Sequence, residues 1–354
     1  MAKILYAING EGLGHAYRSI AIIRELQKHH TIRIIVGSRR VYEHMYKEFP
    51  NIVQVEGLPI KYKNNAVDDV ETVKEFLRIT TKSTITNYRT VYTLIKKFRP
   101  HILITDFENI SSYVARILNI PAICLCNVHA VTHFKYPVPK KYRKEYYKAK
   151  FVVVKNTCQL VDYHLITTFF TLPIKGKHTF VYPPVLRKEI LQLKCNEGKH
   201  LLVYQTSDTN HRLIRVLKKL SHPVIFYGFN KEEIDGNITF RKNNHDQIFK
   251  DFASCKACIA NGGFTFVSEA VSLHKPILCI PVKGQFEQIL NALQIKELRY
   301  GDMADVATEA KIRAFIKHIP KYKKNLSTYK REDNSRIIKK VEEIIKFEIQ
   351  KKRK

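Results

Sequence analysis

The chain lacks tryptophan altogether, yet this decides little while 19 Tyr and 19 Phe remain available for packing. Negative charge is the real scarcity: 32 Asp and Glu stand against 61 Lys and Arg, a formal net charge of +29. A positive field must therefore cover much of the surface, and such a field draws nucleic acid, anionic lipid head groups or phosphorylated sugars. A lysine-rich solvated surface with no special partner is the plainer reading. No apolar run approaches the roughly 18 residues needed to cross a bilayer, which leaves a cytoplasmic protein, or one peripheral at the inner face of the cell membrane. The first apolar run, Lys3 to Ile8, ends at Asn9-Gly10 and is too short for a signal peptide. Cysteine is limited to seven irregularly spaced residues, mostly within apolar runs such as Ile123-Cys124-Leu125-Cys126, which excludes a disulfide framework and reads as reduced core. Cys255 and Cys258 form a CxxC pair, but no second pair or histidine cluster lies nearby in sequence, so neither a metal nor a cofactor is expected.

What is present is a hydrophobic share of 45% over 354 residues, enough for two α/β domains of about 150 residues each. Short Ile- and Val-rich runs alternate with helical patterns, the rhythm of βα units around a parallel sheet buried on both faces. Strands are expected at Lys3–Ile8, Thr31–Gly37, Ile52–Glu56, Ile102–Thr105, Ala122–Cys126 and near Phe151–Val154, with helices over His15–His30 and about Asp69–Phe98. Pro173, Pro183 and Pro184 then break the rhythm. A second set of strands begins at Leu201 and continues through Val224–Gly228, Ile238–Phe240, Ala257–Ala260 and Pro276–Ile280. The expected organisation is an N-terminal domain over 1–172, a linker over 173–199, a second domain over 200–320 and a basic helix and tail over 321–354. From Lys311 onward sixteen Lys or Arg meet five acids, so this stretch carries +11 of the total.

Two strand-to-helix turns carry candidate chemistry. The first reads Asn9-Gly10-Glu11-Gly12-Leu13-Gly14-His15, where glycines admit close approach of a ligand and the helix start offers unpaired N–H groups. Its alternating glycines do not meet the G-x-G-x-x-G dinucleotide spacing. The second reads Asn261-Gly262-Gly263-Phe264-Thr265, with Glu269 about one helical turn further on, where a carboxylate can accept from ribose hydroxyls. Gln285, Glu287 and Gln288 follow the next strand as polar groups suited to a hydroxyl-rich ligand. Asp106 ends a strand and is a candidate helix N-cap. Asn127 and His129 follow another strand and are read either as lining an acceptor site or as ordinary turn residues.

These residues resemble the two-domain GT-B glycosyltransferases, particularly the branch holding the bacterial lipid-intermediate N-acetylglucosaminyltransferase of peptidoglycan synthesis and its uncharacterised archaeal and bacterial relatives. The strongest part is Gly262-Gly263 through Glu269-Ala270, then Lys275-Pro276, Pro281, Gln285, Gln288 and Asn291-Ala292. The resemblance implies two tandem doubly wound Rossmann-like domains facing across a cleft, with the C-terminal helix crossing back. It implies that Gly262, Gly263, Phe264 and Thr265 hold a donor diphosphate, Glu269 the ribose, and Gln285, Glu287 and Gln288 the sugar. Arg187, in Tyr182-Pro183-Pro184-Val185-Leu186-Arg187, is similar to an interdomain cation that meets the donor phosphate. Gly12, Gly14 and His15 look like the acceptor-side loop, with His15 as base and Asp106 as its orienting carboxylate. The implied activity is metal-independent hexosyl or N-acetylhexosaminyl transfer from a UDP-sugar or other nucleotide-sugar to a lipid- or glycan-type acceptor, with peripheral contact to an anionic membrane. A nucleotide-sugar hydrolase or epimerase on the same fold is the nearest alternative. A nucleic-acid or anionic-surface binding protein is the alternative of another class, supported by charge alone and by no RNA-binding motif.

Overall fold

The computed structural model describes residues 1–57, 61–68, 70–72, 74, 82–154, 160–206, 208–242 and 244–351. Among these residues the strands form two seven-stranded sheets and one two-stranded hairpin. The chain divides into two compact units: Met1–Lys61, Asp69–Val185 and Asp333–Lys354 make the first, and Tyr62–Asp68 with Leu186–Glu332 the second.

In the first unit the sheet runs β3 (Ile52–Gln54), β2 (Thr31–Val36), β1 (Lys3–Ile8), β6 (Ile102–Asp106), β7 (Ala122–Cys126), β8 (Tyr163–Thr167) and β9 (Thr179–Tyr182). Every pairing is parallel. Side chains alternate across a strand, so a parallel strand covered on both faces must be apolar at every position. β1 obeys this: Ile4, Tyr6 and Ile8 enter one core cluster, while Leu5 and Ala7 enter another. The C-terminal helix Ser335–Lys351 closes the first of these clusters with Ile337, Val341, Ile344 and Ile345, an apolar stripe at helical spacing. Tyr163 Oη donates to Glu348 at 2.5 Å and fixes the same helix by its polar edge.

In the second unit the order is β12 (Glu233–Asp235), β13 (Ile238–Arg241), β11 (Val224–Tyr227), β10 (Leu201–Tyr204), β14 (Ala257–Ala260), β15 (Ile277–Cys279) and β16 (Gly301–Met303). The β12–β13 edge pairing is antiparallel and the others are parallel. The hairpin β4 (Tyr62–Lys63) with β5 (Ala66–Val67) belongs to this unit, and Val67 N–H donates to the carbonyl of Lys283 at 3.0 Å. No helix among the described residues is long and apolar enough to cross a membrane.

Several expectations are corrected. The apolar run at 151–154, read as a strand, is the end of the helix Arg143–Val153. Only Val153 is buried there, with Phe151 and Val152 exposed, whereas a strand inside this sheet would need both faces covered. The strand that follows is β8, whose apolar run is interrupted by His164 and so escaped notice. The stretch 173–199 is not a linker: it contributes β9, paired with β8, and the helix Lys188–Gln192. The chain passes between units at Val185–Leu186 and again at Glu332–Asp333, after the helix Glu309–Leu326. The helix expected over 69–98 is described as Lys82–Phe98; residues 75–81 lie outside the described residues, as do 352–354 of the basic tail.

Candidate functional site

Ligands of doubly wound sheets bind beyond the carboxyl ends of the strands, where the strand order reverses. In the first unit that point lies between β1 and β6, and Ile8 and Asp106 are register partners at its lip. Asp106 is fully buried and is met by four donors or near-donors from the first helix, Leu13–Leu26. Arg18 donates from Nε to Oδ2 at 2.6 Å and from Nη2 to Oδ1 at 2.5 Å, His15 Nδ1 lies 2.9 Å from Oδ1, and Ser19 Oγ lies 3.3 Å from Oδ2. Burial alone would push this carboxyl up, but the Arg18 guanidinium and the His15 ring outweigh it and hold Asp106 below the ordinary carboxylate range.

His15 Nδ1 has two claimants. It stands 2.9 Å from Asp106 Oδ1 and 2.6 Å from Arg18 Nη2. One nitrogen cannot donate to the carboxylate and accept from the guanidinium together, so these contacts belong to alternative tautomers. Donation to Asp106 leaves Nε2 with its lone pair, the state in which an imidazole accepts a proton.

The turn is held by local bonds and by bonds from the ends of neighbouring strands. Gly12 caps the helix in the left-handed region at φ 71°, and a side chain there would meet nothing within 4 Å. Gly10 serves a different end, since a Cβ on it would lie 2.2 Å from the carbonyl oxygen of Gly37. Beyond Asp106 the chain turns through Phe107 at φ 59°, a left-handed conformation that a bulky residue adopts only when its surroundings impose it. Asn9 Nδ2 donates to the Phe107 carbonyl at 3.0 Å, and Glu108 N–H donates to Thr105 Oγ1 at 2.9 Å. The N-cap of the next helix, Asn109–Ile117, is Glu108, whose carboxylate accepts from Ile110 and Ser111 N–H, both at 2.8 Å. Burial pushes the Glu108 carboxyl up against these bonds. Asp106 is therefore not the cap.

Asn127 is buried and accepts at Oδ1 from Arg18 Nη1 at 3.2 Å, which ties the β7 turn to the same cluster. His129 is also buried, but it faces the other way, with Nδ1 2.9 Å from His164 Nδ1 and the ring stacked 5.5 Å from that of His133. Burial drives all three imidazoles toward the neutral form, His164 down to about 3.

In the second unit the reversal lies between β10 and β14, with Tyr204 and Ala260 in register. Gly262 follows at φ 94°, and a Cβ there would lie 2.9 Å from the Gln288 carbonyl, so neither the conformation nor the space admits another residue. Gly263 is the N-cap of the helix Phe264–Ser272 and faces open space. Phe264 is buried and Thr265 half-buried in the first turn, whose backbone N–H groups make an anion site of the usual kind. Asn291 Nδ2 donates to the Gly262 carbonyl at 3.0 Å and fixes the turn from behind. Gln288, expected at the sugar, is buried; its Oε1 accepts from Val282 N–H at 3.0 Å and its Nε2 bonds Gln285. Glu287 is half-buried in the first turn of the helix Phe286–Glu297.

Glu269 and Arg187 are brought together. Nε and Nη2 of Arg187 donate to the two Glu269 oxygens, each at 2.7 Å, and the guanidinium sits 4.7 Å over the Phe249 ring. Lys275, part of the sequence signature, donates to the carbonyls of Asn196, Ala253 and Cys255 at 2.9, 2.7 and 2.8 Å, a scaffold role.

Sequence reasoning missed Arg18 and a buried amide network at the second reversal. There Asn261 Oδ1 accepts from Thr206 N–H at 2.9 Å, and its Nδ2 donates to Gln205 Oε1 and to Asn65 Oδ1, each at 3.0 Å. The available signal was position: Gln205 and Asn261 are the first residues beyond two adjacent central strands.

The family model described as glycosyl transferase family 1 matches residues 2–320. An uncharacterized glycosyltransferase of Methanosarcina acetivorans is 25% identical over 344 residues, covering 88% of this chain and 87% of that protein. Among solved structures, UGT2 of Phytolacca americana, complexed with UDP-2fluoro-glucose and pterostilbene, superposes with a TM-score of 0.68 at 14% identity, covering 98% of this chain and 99% of that one. MurG of Acinetobacter baumannii does so with a TM-score of 0.62 at 13% identity, over 97% and 100% of the two chains. At such identities the superpositions speak for the fold, and the family match speaks for the chemistry: the chain belongs to glycosyl transferase family 1 and is a glycosyltransferase with the GT-B fold.

Proposed function

We propose that the protein transfers a hexosyl or N-acetylhexosaminyl group from a UDP-sugar to a hydroxyl of a lipid- or glycan-linked acceptor, with His15 as general base. The observation that carries this reading is the His15–Asp106–Arg18 cluster at the strand-order reversal of the first unit. With Nδ1–H held on Asp106, His15 Nε2 takes the acceptor proton as the oxygen attacks the anomeric carbon and the diphosphate departs. Asp106 is a positioning residue that selects the tautomer and stabilises the imidazolium as it forms. The leaving charge is met by the N–H groups of Gly263, Phe264 and Thr265, by the helix dipole and by Arg187. No Asp-x-Asp element occurs in the sequence, which favours this metal-independent handling of the diphosphate. Both Glu269 oxygens already face Arg187, so binding of the two ribose hydroxyls requires exchange of at least one of these bonds.

A lipid-linked acceptor is supported by the surface of the helix Arg143–Val153 and the turn before it. Tyr147 and Phe151 are 63% and 64% exposed amid exposed Lys140, Lys141, Lys144, Lys148 and Lys150, the arrangement that settles at an anionic membrane surface. This surface supports a peripheral place for the protein at the inner face of the cell membrane.

Turnover with a panel of nucleotide-sugars and acceptors tests the reading. His15→Ala should lower kcat by about 10²–10⁴-fold while leaving nucleotide affinity within a few fold. Unchanged turnover removes His15 from the chemistry. Release of free sugar at the same rate with and without acceptor replaces the transferase by a hydrolase.

A further inference from the structure

Three histidines lie together in the first unit, outside the His15–Asp106–Arg18 cluster. His129 follows β7, His133 ends the short helix Ala130–His133, and His164 comes from β8, so two neighbouring strands and the turn between them converge. Each is at most 8% exposed, and each offers one ligand-type nitrogen within 4.8 Å of the others. Buried imidazoles are a costly way to fill a core, since each brings two polar nitrogens that must be satisfied. We infer that His129, His133 and His164 form a three-imidazole site for a borderline transition-metal ion of the Zn2+ class.

The local bonding sorts the nitrogens. His133 Nδ1 lies 2.9 Å from Thr132 Oγ1 and 3.3 Å from the carbonyl oxygen of His129; in the tautomer that donates to this carbonyl, Nε2 carries the lone pair. His129 Nδ1 and His164 Nδ1 face each other at 2.9 Å. Four-coordinate Zn2+ with Zn–N near 2.0–2.1 Å places neighbouring nitrogens about 3.3 Å apart, so this pair opens by a few tenths of an ångström to admit the ion. The proton then moves to the far nitrogens, and His129 Nε2 already has an acceptor, Cys124 Sγ at 3.9 Å. Orientation of a metal-bound histidine through its other N–H is the usual outer support of such sites. Cys124 and Cys126, with sulfurs 3.5 Å apart, lie on the Nε2 side of His129 and make a second group around the same residue. The role of the site is to clamp the β7 turn, which also carries Asn127, to β8.

Metal binding by the full chain, stripped with chelator and titrated with Zn2+ or Co2+ alone, tests this without reference to turnover. One ion per chain is expected, with a rise in apparent melting temperature and with visible d–d bands of four-coordinate cobalt but no thiolate charge-transfer band. His164→Gln and His133→Gln should each weaken binding at least about 100-fold while circular dichroism of the metal-free variants stays that of the parent. Cys124→Ser, which keeps an acceptor, should leave the spectrum unchanged and affinity within about tenfold. The inference is overturned by absence of stoichiometric binding, by a thiolate band that disappears in Cys124→Ser, or by His164→Gln and His133→Gln that bind as the parent does.

Discussion

Asp106→Asn is the substitution whose cost the structure fixes most closely. The parent carboxylate has no solvent exposure and takes two donors from Arg18, itself 3% exposed. The amide keeps one acceptor oxygen but turns an NH2 toward a guanidinium that can only donate. Breaking a buried pair by removing one partner costs about 3–5 kcal/mol, because the other charge stays buried without compensation. We expect about 3 kcal/mol for Asp106→Asn at pH 7 and a similar loss for Arg18→Met, read by equilibrium urea unfolding. The double variant should cost much less than the sum of the singles, with a coupling of about 2–3 kcal/mol. The pH dependence has a definite sign. Asp106 titrates below its unfolded value of about 3.9, so its contribution is complete above that value and is lost as pH falls through the lower folded one. The part of the gap that comes from Asp106's own titration should therefore be constant from pH 8 to 5 and close only below about pH 4. A single-variant cost under about 1 kcal/mol, or strict additivity, would refute the account of a buried, interdependent pair.

Other outcomes follow from the same geometry. Arg187→Ala should weaken nucleotide diphosphate binding by about tenfold or more, and Glu269→Gln should alter it too, because the two side chains share both bonds; calorimetric titration with UDP checks this, and an unaltered affinity in both would separate the pair from the donor. Glu108 titrates above its unfolded value, so its contribution is present at low pH and is lost as pH rises through the folded value. Glu108→Gln keeps one acceptor oxygen but turns an NH2 toward the other backbone donor, so it should lose part of the cap, and Glu108→Ala should lose about 0.5–2 kcal/mol by thermal or urea unfolding. Replacing Tyr147 and Phe151 by Ser should reduce sedimentation with anionic vesicles, and salt should reduce it in the parent; binding indifferent to both salt and lipid charge would remove the membrane assignment.

Much of this was legible from period and punctuation. Strands such as Ala122–Cys126 and Ala257–Ala260 are continuous apolar runs because both faces are covered, and glycine turns announce where the chain re-enters a helix. The failures have the same physical root. Phe151-Val152-Val153-Val154 has strand composition, yet the helix that begins at Arg143 carries on through it, and local propensity yields to the turn already formed. β8 hides because His164 breaks its apolar run, and that histidine finds its partners 31 and 35 positions earlier, at a separation no local pattern reports. Arg18 was likewise invisible: on a helix otherwise rich in apolar residues an arginine reads as exposed, and only the approach of Asp106, 88 positions away, explains its burial.

The two glycine turns look alike in sequence but differ in how they are held. In the first unit an Arg–carboxylate pair sits directly under the turn, and the histidine shares its carboxylate, so the charge that orients the ring is fixed before any ligand arrives. In the second unit the turn is held by neutral amides, Asn291 on the Gly262 carbonyl and Asn261 on Thr206, and Arg187 and Glu269 are bonded to each other. If Arg187 takes the phosphate and Glu269 the ribose, as proposed above, the pair exchanges one set of charge-assisted bonds for another, so the net gain on binding is smaller than the new contacts suggest. Selectivity on that reading comes from completeness: a ligand offering only phosphate, or only ribose, breaks the Arg187–Glu269 bonds and replaces them on one side alone. Free ribonucleoside and inorganic pyrophosphate should each bind far more weakly than half the free energy of the nucleoside diphosphate would give, and simple additivity of the two fragments would show that the pair stays closed and takes no part.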